Sequence, residues 1–443
     1  MFRQIGRTRL LNFWTLRVQP ATSSPSRFRS TEVSKTASNR PLEGVRVLDF
    51  SRILAGPFCS QILADYGADV IKVEQPGQGD ETRSWQGSGE DQDWTDDAKP
   101  ISFYFAAINR NKRSLTLDLK KPEALDVVYE LTKKSDVVLE NFVPGGADRL
   151  GIGYEKLSTL NPGLIYASIS GYGSAGPYSK RAGYDAIAAA EGGLMHITGH
   201  PDGGPVRPGL GMTDMSTGLY SHGAIMAALY ARDRAGKGQH ISSSLFETQI
   251  SLLINVGANW LNRGVDGKRY GAAHPSIVPY NTWKCGDDVW LALAANNDRQ
   301  YRTLCQKIGR DDLVEDERFT TNAKRVEHRP LMDDIFNDIF SAKTSKEWLT
   351  LLDGSALAHG PVNSIQQAFE HPQTQARNMI QSVGWDAVRS GEWRGIGAPV
   401  KFSDADTSLR SRPPRLGEHT DEVLSELGYG ESEIGKMREE GVV

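Results

Sequence analysis

Apolar and polar positions follow two different periods along the first half of the chain. Short runs rich in β-branched residues predict strands, and apolar residues spaced three or four apart predict helices between them. The strands are predicted at 45–50, 69–74, 114–119, 136–141 and 164–170, and the helices at 57–68 and 122–134. Because strands that alternate with helices form a parallel sheet covered on both faces, this half is predicted to be a doubly wound α/β domain.

The pattern changes in the second half of the chain. A strand at 239–245 and a helix at 247–261 precede a region rich in Pro, Gly and Trp around a strand at 289–295. Further helices are predicted at 298–308, 328–341 and 345–353, and a last helix at 418–427. We therefore predict a large α/β domain at 41–265, completed by 370–443, and a smaller α+β domain at 266–369.

Asp214 lies at the predicted start of a long helix, in the segment GMTDMSTGLYSHGAIMAALYARD at 211–233. Apolar side chains at helical spacing begin at Met215 and continue through Leu219, Met226 and Leu229. An aspartate at a helix start commonly caps the helix by accepting N–H groups of the first turn. The same position favours the ionised form of a carboxylate, and carboxylates serve as covalent nucleophiles. The residue pattern leaves both roles open.

Composition restricts the class of protein. Charged residues make up 24% of the 443 residues and apolar ones 39%, which is typical of a globular protein. No run of 18 apolar residues occurs, so no membrane-spanning helix is predicted. Cys59, Cys285 and Cys305 lie far apart, without CxxC spacing, so neither a disulfide framework nor a cysteine-based metal site is expected.

The N-terminal segment differs from the rest of the chain. Residues 1–31 contain six arginines and no acidic residue, which is the composition of a mitochondrial transit peptide. We predict that about residues 1–40 are removed and that the mature protein lies in the mitochondrial matrix; the alternative is a disordered basic tail. Loss of these six arginines would take the formal net charge from −4 to −10. So acidic a protein is not expected to bind nucleic acid.

Several loops offer binding chemistry. The segment GYGSAG at 171–176 fits GxGxxG, but Pro177 follows at once, so a glycine loop beside a ligand is favoured over a dinucleotide site. Loops after strands at 51–56 and 140–151 lie where ligands meet a parallel sheet, and Lys120 and Arg149 are candidate phosphate contacts or ordinary surface residues. Arg207 is a candidate partner for a substrate carboxylate or a surface arginine in a turn, and His274 is a candidate site residue or a structural histidine.

Several segments together resemble the class III CoA-transferase family, which includes formyl-CoA transferase and carnitine CoA-transferase. They are PLEGVRVLDFSRILAGPFCSQILADYGADVIKVEQPGQGDETRSW, NRNKRSLTLDLK, ENFVPGGADRLG, GYGSAGP, GMTDMSTGLY and LGEHTDEVLSELG. The resemblance runs from about residue 41 to the C-terminus in unbroken order. It implies a homodimer of two interlocked chains, each with a large Rossmann-like domain and a small domain.

The resemblance also implies a set of site residues. Asp214 takes the position of the family's catalytic aspartate, which forms a mixed anhydride with the acyl group and then an aspartyl-CoA thioester. The CoA contacts implied by the family are Arg52, Leu54, Ala55, Gln75, Leu117, Lys120, Asn141, Phe142 and Arg149. CoA and acyl-CoA are then substrates, and no tightly bound cofactor or metal is expected.

Within the family, the segments RAGYDAIAAA, PVRPGLGMTD and AAHPSIVPY are most similar to members that use succinyl-CoA and glutarate. The resemblance therefore implies CoA transfer from succinyl-CoA to a dicarboxylic acid, with glutarate preferred. We predict Tyr184, Arg207 and His274 as substrate residues, with Arg207 binding the second carboxylate. Leu54 replaces a glutamine of formyl-CoA transferase, which disfavours formate and oxalate as substrates. Gln75 replaces an arginine near the CoA nucleotide.

Two other functions fit parts of the same pattern. The α-methylacyl-CoA racemases of this superfamily use a histidine where Tyr184 stands, and tyrosine, with a reference pKa near 10, is a poor base at neutral pH. A non-catalytic acyl-CoA-binding protein would have no use for a nucleophile at Asp214. Both alternatives are therefore disfavoured against the transferase.

Overall fold

The computed structural model describes residues 39–443, so the predicted transit peptide, apart from its last two residues, lies outside the described part of the chain. A six-stranded parallel sheet forms its centre, with strand order β3-β2-β1-β4-β5-β6. The strands are β1 (Arg46–Asp49), β2 (Asp69–Glu74), β3 (Lys112–Thr116), β4 (Val137–Glu140), β5 (Ile165–Ser170) and β6 (Gln239–Ser244). All five strands predicted for the first half are present, together with the one predicted at 239–245.

One of these strands ends earlier than its sequence predicts. The run SLTLDL at 114–119 was expected to be extended throughout, but β3 stops at Thr116. The N–H of Asp118 donates to the carbonyl oxygen of Val442 at 2.8 Å, so at this point the backbone bonds to the C-terminal residues and not to a neighbouring strand. The strand therefore ends where the C-terminus packs against it.

In the described part of the chain, eight α-helices and two 3₁₀ turns connect the first five strands and lead to β6. The 3₁₀ turns are Glu81–Ser84 and Glu90–Asp93. The helices are α1 (Ala55–Asp65), α2 (Phe103–Ala107), α3 (Pro122–Lys133), α4 (Gly146–Arg149), α5 (Tyr154–Leu160), α6 (Asp185–Glu191), α7 (Leu194–Ile197) and α8 (Met212–Ala235).

The chain after β6 contains two small antiparallel sheets, β7-β8-β9 and β10-β11. The elements are α9 (Leu245–Ser251), α10 (Ile254–Arg263), β7 (Tyr280–Lys284), β8 (Trp290–Ala294), α11 (Asp298–Ile308), α12 (Asp312–Glu315), α13 (Asn322–Glu327), α14 (Arg329–Ser341), α15 (Ser345–Leu352), β9 (Ala358–Pro361), α16 (Ile365–Glu370), α17 (Pro372–Ala376), β10 (Ile380–Gly384), β11 (Glu392–Ile396), α18 (Thr420–Leu427) and α19 (Glu431–Glu439).

Three helix predictions need correction. The single helix predicted at 247–261 is two helices, since the chain turns between Ser251 and Ile254. The helix predicted at 418–427 is not the last, because α19 follows after Gly428 ends α18 in the left-handed conformation. The long helix begins at Met212, and its N-cap residue is Gly211 rather than Asp214.

Apolar side chains cover both faces of the parallel sheet. One face carries α3 together with α18 and α19, through residues such as Val127, Val423 and Ile434. The other face carries α1 and α8, through residues such as Leu63 and Ile225. This is the doubly wound arrangement predicted from the sequence, and it places the carboxyl ends of all six strands along one edge.

A separate apolar cluster lies around the three-stranded antiparallel sheet. Its members span Val278 to Leu357 and include Trp283, Phe336 and Trp348. It falls within the predicted small domain, whose boundaries at 266–369 remain a prediction. No helix among residues 39–443 is long and apolar enough to cross a membrane.

Candidate active site

The loop between β1 and α1 lies at the carboxyl edge of the sheet and is held by hydrogen bonds on both sides. The Arg52 N–H donates to Asn141 Oδ1 at 2.9 Å, and Asn141 Nδ2 donates back to the Arg52 carbonyl oxygen at 2.8 Å. Asn141 follows β4, so this pair joins the loops after two neighbouring strands. The predicted ligand contacts Arg52 and Asn141 are therefore also structural partners of each other.

A cavity of about 610 Å³ opens beside this loop, and five of the predicted CoA contacts line it. They are Arg52, Gln75, Leu117, Lys120 and Phe142. Arg149 is exposed at the end of α4, next to Leu150, which lines the same cavity. The cavity is mixed in character, since the Arg52 and Lys120 cations accompany apolar walls such as Phe50 and Leu119. Carboxylates line it as well, and Glu81 is paired with Arg52, so this ion pair would have to open for Arg52 to bind a phosphate.

A second cavity, of about 250 Å³, contains Asp214. It is lined by the predicted residues Arg52, Leu54, Ala55, Asn141, Phe142, Tyr184 and Asp214. Arg52 and Phe142 line both cavities, so the two spaces adjoin. Gly171 of the glycine loop and Gly183 also line it, and a Cβ on Gly171 would come within 2.6 Å of the Gly183 Cα. The glycine loop thus lies beside this cavity.

Two predicted substrate residues, Arg207 and His274, do not line this cavity. Arg207 is 58% exposed, and its Nε is 3.9 Å from Asp185 Oδ2, so it is only loosely paired. His274 lines a third cavity of about 380 Å³ whose lining shares no residue with the Asp214 cavity. Its ring stacks on Tyr280, and its Nδ1 accepts the N–H of Ser276 at 3.2 Å. Within one chain, the structure brings Tyr184 to Asp214 but does not bring His274 there.

Asp214 is a partly buried carboxyl group in an electrostatically unusual position. Burial raises the pKa of Asp214 to about 7, and the neighbouring carboxylate of Asp185 contributes to the rise, while Arg207 opposes both effects. The sequence had suggested that the helix N-terminus would favour the ionised form. Burial is the larger cause of the difference, and Asp185 adds to it, since its Oδ1 already accepts the N–H groups of Thr213 at 2.9 Å and Asp214 at 3.2 Å. The positive end of α8 is therefore neutralised by Asp185.

The sequence interpretation missed three residues of this region. Asp185, from the first turn of α6, supplies the capping interaction that had been suggested for Asp214. The pKa of Tyr104 is raised by burial and further by the carboxylates of Asp214 and Asp185, which places Tyr104 close to them. The ring of Tyr104 packs edge-on against Trp85, which lines the larger cavity. In the sequence, the only sign of Trp85 and Tyr104 as site residues was their place as aromatic residues in TRSW at 82–85 and SFYF at 102–105.

The residues of the site do not include a metal centre. Among residues 39–443, no cluster of three or more His, Cys, Asp and Glu side chains has an arrangement that could hold a metal ion. The three cysteines are free and buried, far from one another in sequence. What the arrangement provides is a carboxyl group with a raised pKa in a small cavity that adjoins a larger mixed one.

Comparison with known proteins points to a single family. The model of CoA-transferase family III matches residues 42–420. An acyl-CoA transferase of Fusarium pseudograminearum (strain CS3096) is 52% identical over 410 residues, which cover 93% of this chain and 90% of that protein. The succinyl-CoA:glutarate CoA-transferase of Mus musculus is 42% identical over 411 residues, which cover 92% and 91% of the two chains. A crystal structure of a CAIB/BAIF family protein from Brucella suis matches with a TM-score of 0.77 at 41% identity, over 88% of this chain and 100% of that one.

Proposed function

The chain belongs to CoA-transferase family III and is a CoA-transferase, and we propose that it transfers CoA from succinyl-CoA to a dicarboxylate, with glutarate as the preferred acceptor. The observation that carries this proposal is the position of Asp214. Its carboxyl group lines the smaller cavity, which adjoins the larger one along Arg52 and Phe142. A CoA held in the larger cavity would thus have its thioester next to a carboxylate.

The proposed chemistry uses Asp214 as a covalent nucleophile. Its carboxylate attacks the thioester carbon of succinyl-CoA, the C–S bond breaks, and a mixed anhydride and CoA thiolate result. The thiolate then attacks the aspartyl carbonyl carbon, which releases succinate and leaves an aspartyl-CoA thioester. A glutarate carboxylate attacks this thioester, a second anhydride and thiolate form, and the thiolate takes the glutaryl group. Asp214 is regenerated as a carboxylate, and the thioester energy is conserved throughout.

Arg207 supports a dicarboxylate as the acceptor. One carboxylate of the acid must react, and the second requires a cation near the site. Arg207 lowers the pKa of Asp214 and is more than half exposed, with only a loose contact to Asp185. Its guanidinium is therefore available to a carboxylate a few carbons away from the reacting one. The mouse relative named for succinyl-CoA and glutarate adds support for this pair of acids.

Intact-protein mass spectrometry tests the proposal. Incubation with succinyl-CoA should add to the wild-type chain the mass of one CoA less one water, and Asp214→Asn should gain nothing. Glutarate should discharge the adduct and yield glutaryl-CoA. An equal adduct on both proteins would contradict Asp214 as the nucleophile, and an adduct that glutarate leaves intact would contradict the acceptor.

We also propose that two chains interlock as a homodimer. The support is the exposed apolar surface of α10, none of whose ten residues is buried by the rest of the described chain. Ile254 is 74%, Trp260 58% and Leu261 82% exposed, so this one helix presents several large apolar side chains, as an interaction surface does. Sedimentation equilibrium should give twice the chain mass, and a Trp260→Lys/Leu261→Lys variant should lower it. A monomeric wild-type protein would contradict the proposal.

We further propose that the mature protein lies in the mitochondrial matrix. The basis is the arginine-rich, acid-free composition of residues 1–31. A fluorescent protein fused to residues 1–40 should enter mitochondria and be shortened there. The same fusion with the six arginines of residues 1–31 replaced by glutamine should remain outside, and equal import of both would contradict the proposal.

A further inference from the structure

Ile53 adopts an unfavourable backbone conformation at the edge of the Asp214 cavity. Its φ is +71°, in the left-handed region. A β-branched side chain rarely adopts this conformation, because its Cβ crowds the backbone. Such a residue persists only where its surroundings hold it in place, and strained residues cluster at functional sites. Ile53 lines the cavity together with Asp214.

A buried carboxylate holds Ile53 in this conformation. Both carboxylate oxygens of Asp80 accept the N–H of Ile53, each at 3.2 Å. Asp80 is 1% exposed, and its Oδ2 lies 3.0 Å from the Nζ of Lys72, whose side chain is fully buried. Lys72 Nζ also donates to the carbonyl oxygen of Ser51 at 2.7 Å. The ion pair therefore forms hydrogen bonds with the loop at the Ser51 carbonyl oxygen and the Ile53 N–H, on either side of Arg52.

The position of this loop decides the shape of the Asp214 cavity. Leu54 and Ala55 follow Ile53 directly and line the cavity. Leu54 packs closely on the start of α8, since a Cβ on Gly211 would lie 2.8 Å from its Cδ2. A rotation of the backbone at Ile53 would move Leu54 relative to Asp214. The loop also presents Arg52 to both cavities.

We propose that Asp80, backed by Lys72, is a positioning residue for CoA transfer: it holds Ile53 in the left-handed conformation and thereby fixes the loop from Arg52 to Ala55 against Asp214. The inference rests on the proposed role of the Asp214 cavity. Asp80 acts here through the backbone of Ile53. It also lines the larger cavity and caps the 3₁₀ turn Glu81–Ser84 by accepting the N–H of Thr82 at 3.0 Å, so recovery by Ile53→Gly is what identifies the role through Ile53.

Glycine in place of Ile53 separates this role from a merely structural one. Glycine adopts the left-handed conformation without a steric penalty, so it needs less support from Asp80. In Asp80→Asn the amide has one acceptor oxygen instead of two, and its NH₂ group opposes either Lys72 or the Ile53 N–H. Ile53→Gly should therefore restore part of the activity that Asp80→Asn loses. The matched control is Asp65→Asn, another buried carboxylate in an ion pair, at the opposite end of α1 with Arg110.

The experiment measures exchange of labelled succinate into succinyl-CoA, and the dissociation constant of CoA, for wild type, Asp80→Asn and Asp65→Asn, each with and without the Ile53→Gly substitution. We expect Asp80→Asn to lower kcat/KM by about 10- to 100-fold, because small displacements of reacting groups cost this much. Ile53→Gly should recover about 5-fold or more in the Asp80→Asn protein and nothing in the Asp65→Asn protein. If Asp80→Asn does not fold, Lys72→Met/Asp80→Asn removes both buried charges and replaces it as the background.

Unchanged kcat/KM in Asp80→Asn, or the same recovery in both backgrounds, would overturn the inference. Failure of the proposed function has a different result, which is exchange that persists in Asp214→Asn. If wild type exchanges no succinate, the CoA dissociation constants decide instead: Asp80→Asn should weaken CoA binding and Ile53→Gly should restore it, and equal constants would overturn the inference.

Discussion

The Oδ1 of Asp185 lies 3.2 Å from the backbone nitrogen of Asp214 and accepts its N–H. The two carboxyl groups therefore meet at one helix start, and Asp185 takes the hydrogen bonds that the first turn of α8 offers. Asp214 is left in a partly buried place beside a like charge, and burial followed by that charge raises its pKa to about 7. A carboxyl group with this pKa loses its proton near neutral pH and is more basic than an ordinary aspartate.

The pH dependence of the reaction should follow Asp214. Only the carboxylate can attack a thioester, so kcat/KM should be low where Asp214 is protonated and should rise with pH through about 7. Initial rates of CoA transfer from about pH 5.5 to about pH 8.5 give the profile directly. A rate that is flat from about pH 5.5 upward would show that the free enzyme already holds Asp214 ionised.

Asp185→Asn should move this rise in kcat/KM, the acid limb of the profile, to lower pH. The amide oxygen still accepts the two N–H groups, but the negative charge that raises the pKa of Asp214 is gone. Burial still acts, so the limb should stay above the ordinary aspartate value. Asp233→Asn, an exposed carboxylate at the other end of α8, is the control and should leave the profile in place. The same shift in both variants would mean that the net charge of the protein, and not the neighbouring Asp185, sets the pKa of Asp214.

Arg207→Met should act in the opposite direction. Loss of this cation removes the influence that lowers the pKa of Asp214, so the acid limb should move to higher pH. The KM for dicarboxylates should also rise by about 10-fold or more, because the second carboxylate loses its partner. Comparison of glutarate with butyrate separates the two effects, since butyrate lacks the second carboxylate. An equal rise in KM for both acids would show that Arg207 does not select dicarboxylates.

The sheet could be predicted from the sequence because a parallel strand, buried on both faces, leaves a local record of β-branched residues. The pair of Asp185 and Asp214 leaves no such record. Their contact depends on how α6 packs against the start of α8, and an aspartate at a helix start fits a cap whether or not another residue already occupies the N–H groups. The left-handed conformation of Ile53 could not be predicted from the sequence either. Isoleucine disfavours this conformation, which is held by a hydrogen bond to Asp80 from another loop.

Placement of the site residues depended on more than spacing. Asn141, Phe142 and Leu54 are ordinary residues in sequence and were named through family resemblance, and the structure brings them to one cavity. Their roles in binding remain predictions. No element is predicted between 74 and 114, so the sequence does not single out Tyr104 of α2, which is 40% exposed.

Replacement of Asp214 by asparagine should stabilise the fold at alkaline pH. The folded pKa of Asp214, about 7, lies above the unfolded value of 3.8, so the fold favours the neutral carboxyl. The resulting stability is present below the unfolded pKa and is lost as pH rises through the folded pKa. Asp214→Asn stays neutral at every pH, so its Tm should exceed that of wild type at about pH 8 and by less at about pH 5. A Tm difference that does not grow with pH would contradict the raised pKa.

Gly211→Ala should impair the reaction with little effect on folding. The φ of Gly211 is −71°, which alanine adopts freely, so the backbone does not require glycine. The added Cβ would, however, lie 2.8 Å from Leu54 Cδ2, and the Leu54 side chain would have to turn within the Asp214 cavity. We expect kcat/KM to fall by about 10-fold or more, while the free energy of unfolding falls by only about 1 kcal/mol, because alanine is a poorer N-cap than glycine. Gly209→Ala is the matched control, because a Cβ there meets no heavy atom within 4 Å. The double variant Gly211→Ala/Leu54→Val has a shorter side chain at the contact and should recover part of the rate. Equal rates for Gly211→Ala and Gly209→Ala would show that the contact between Gly211 and Leu54 has no part in catalysis.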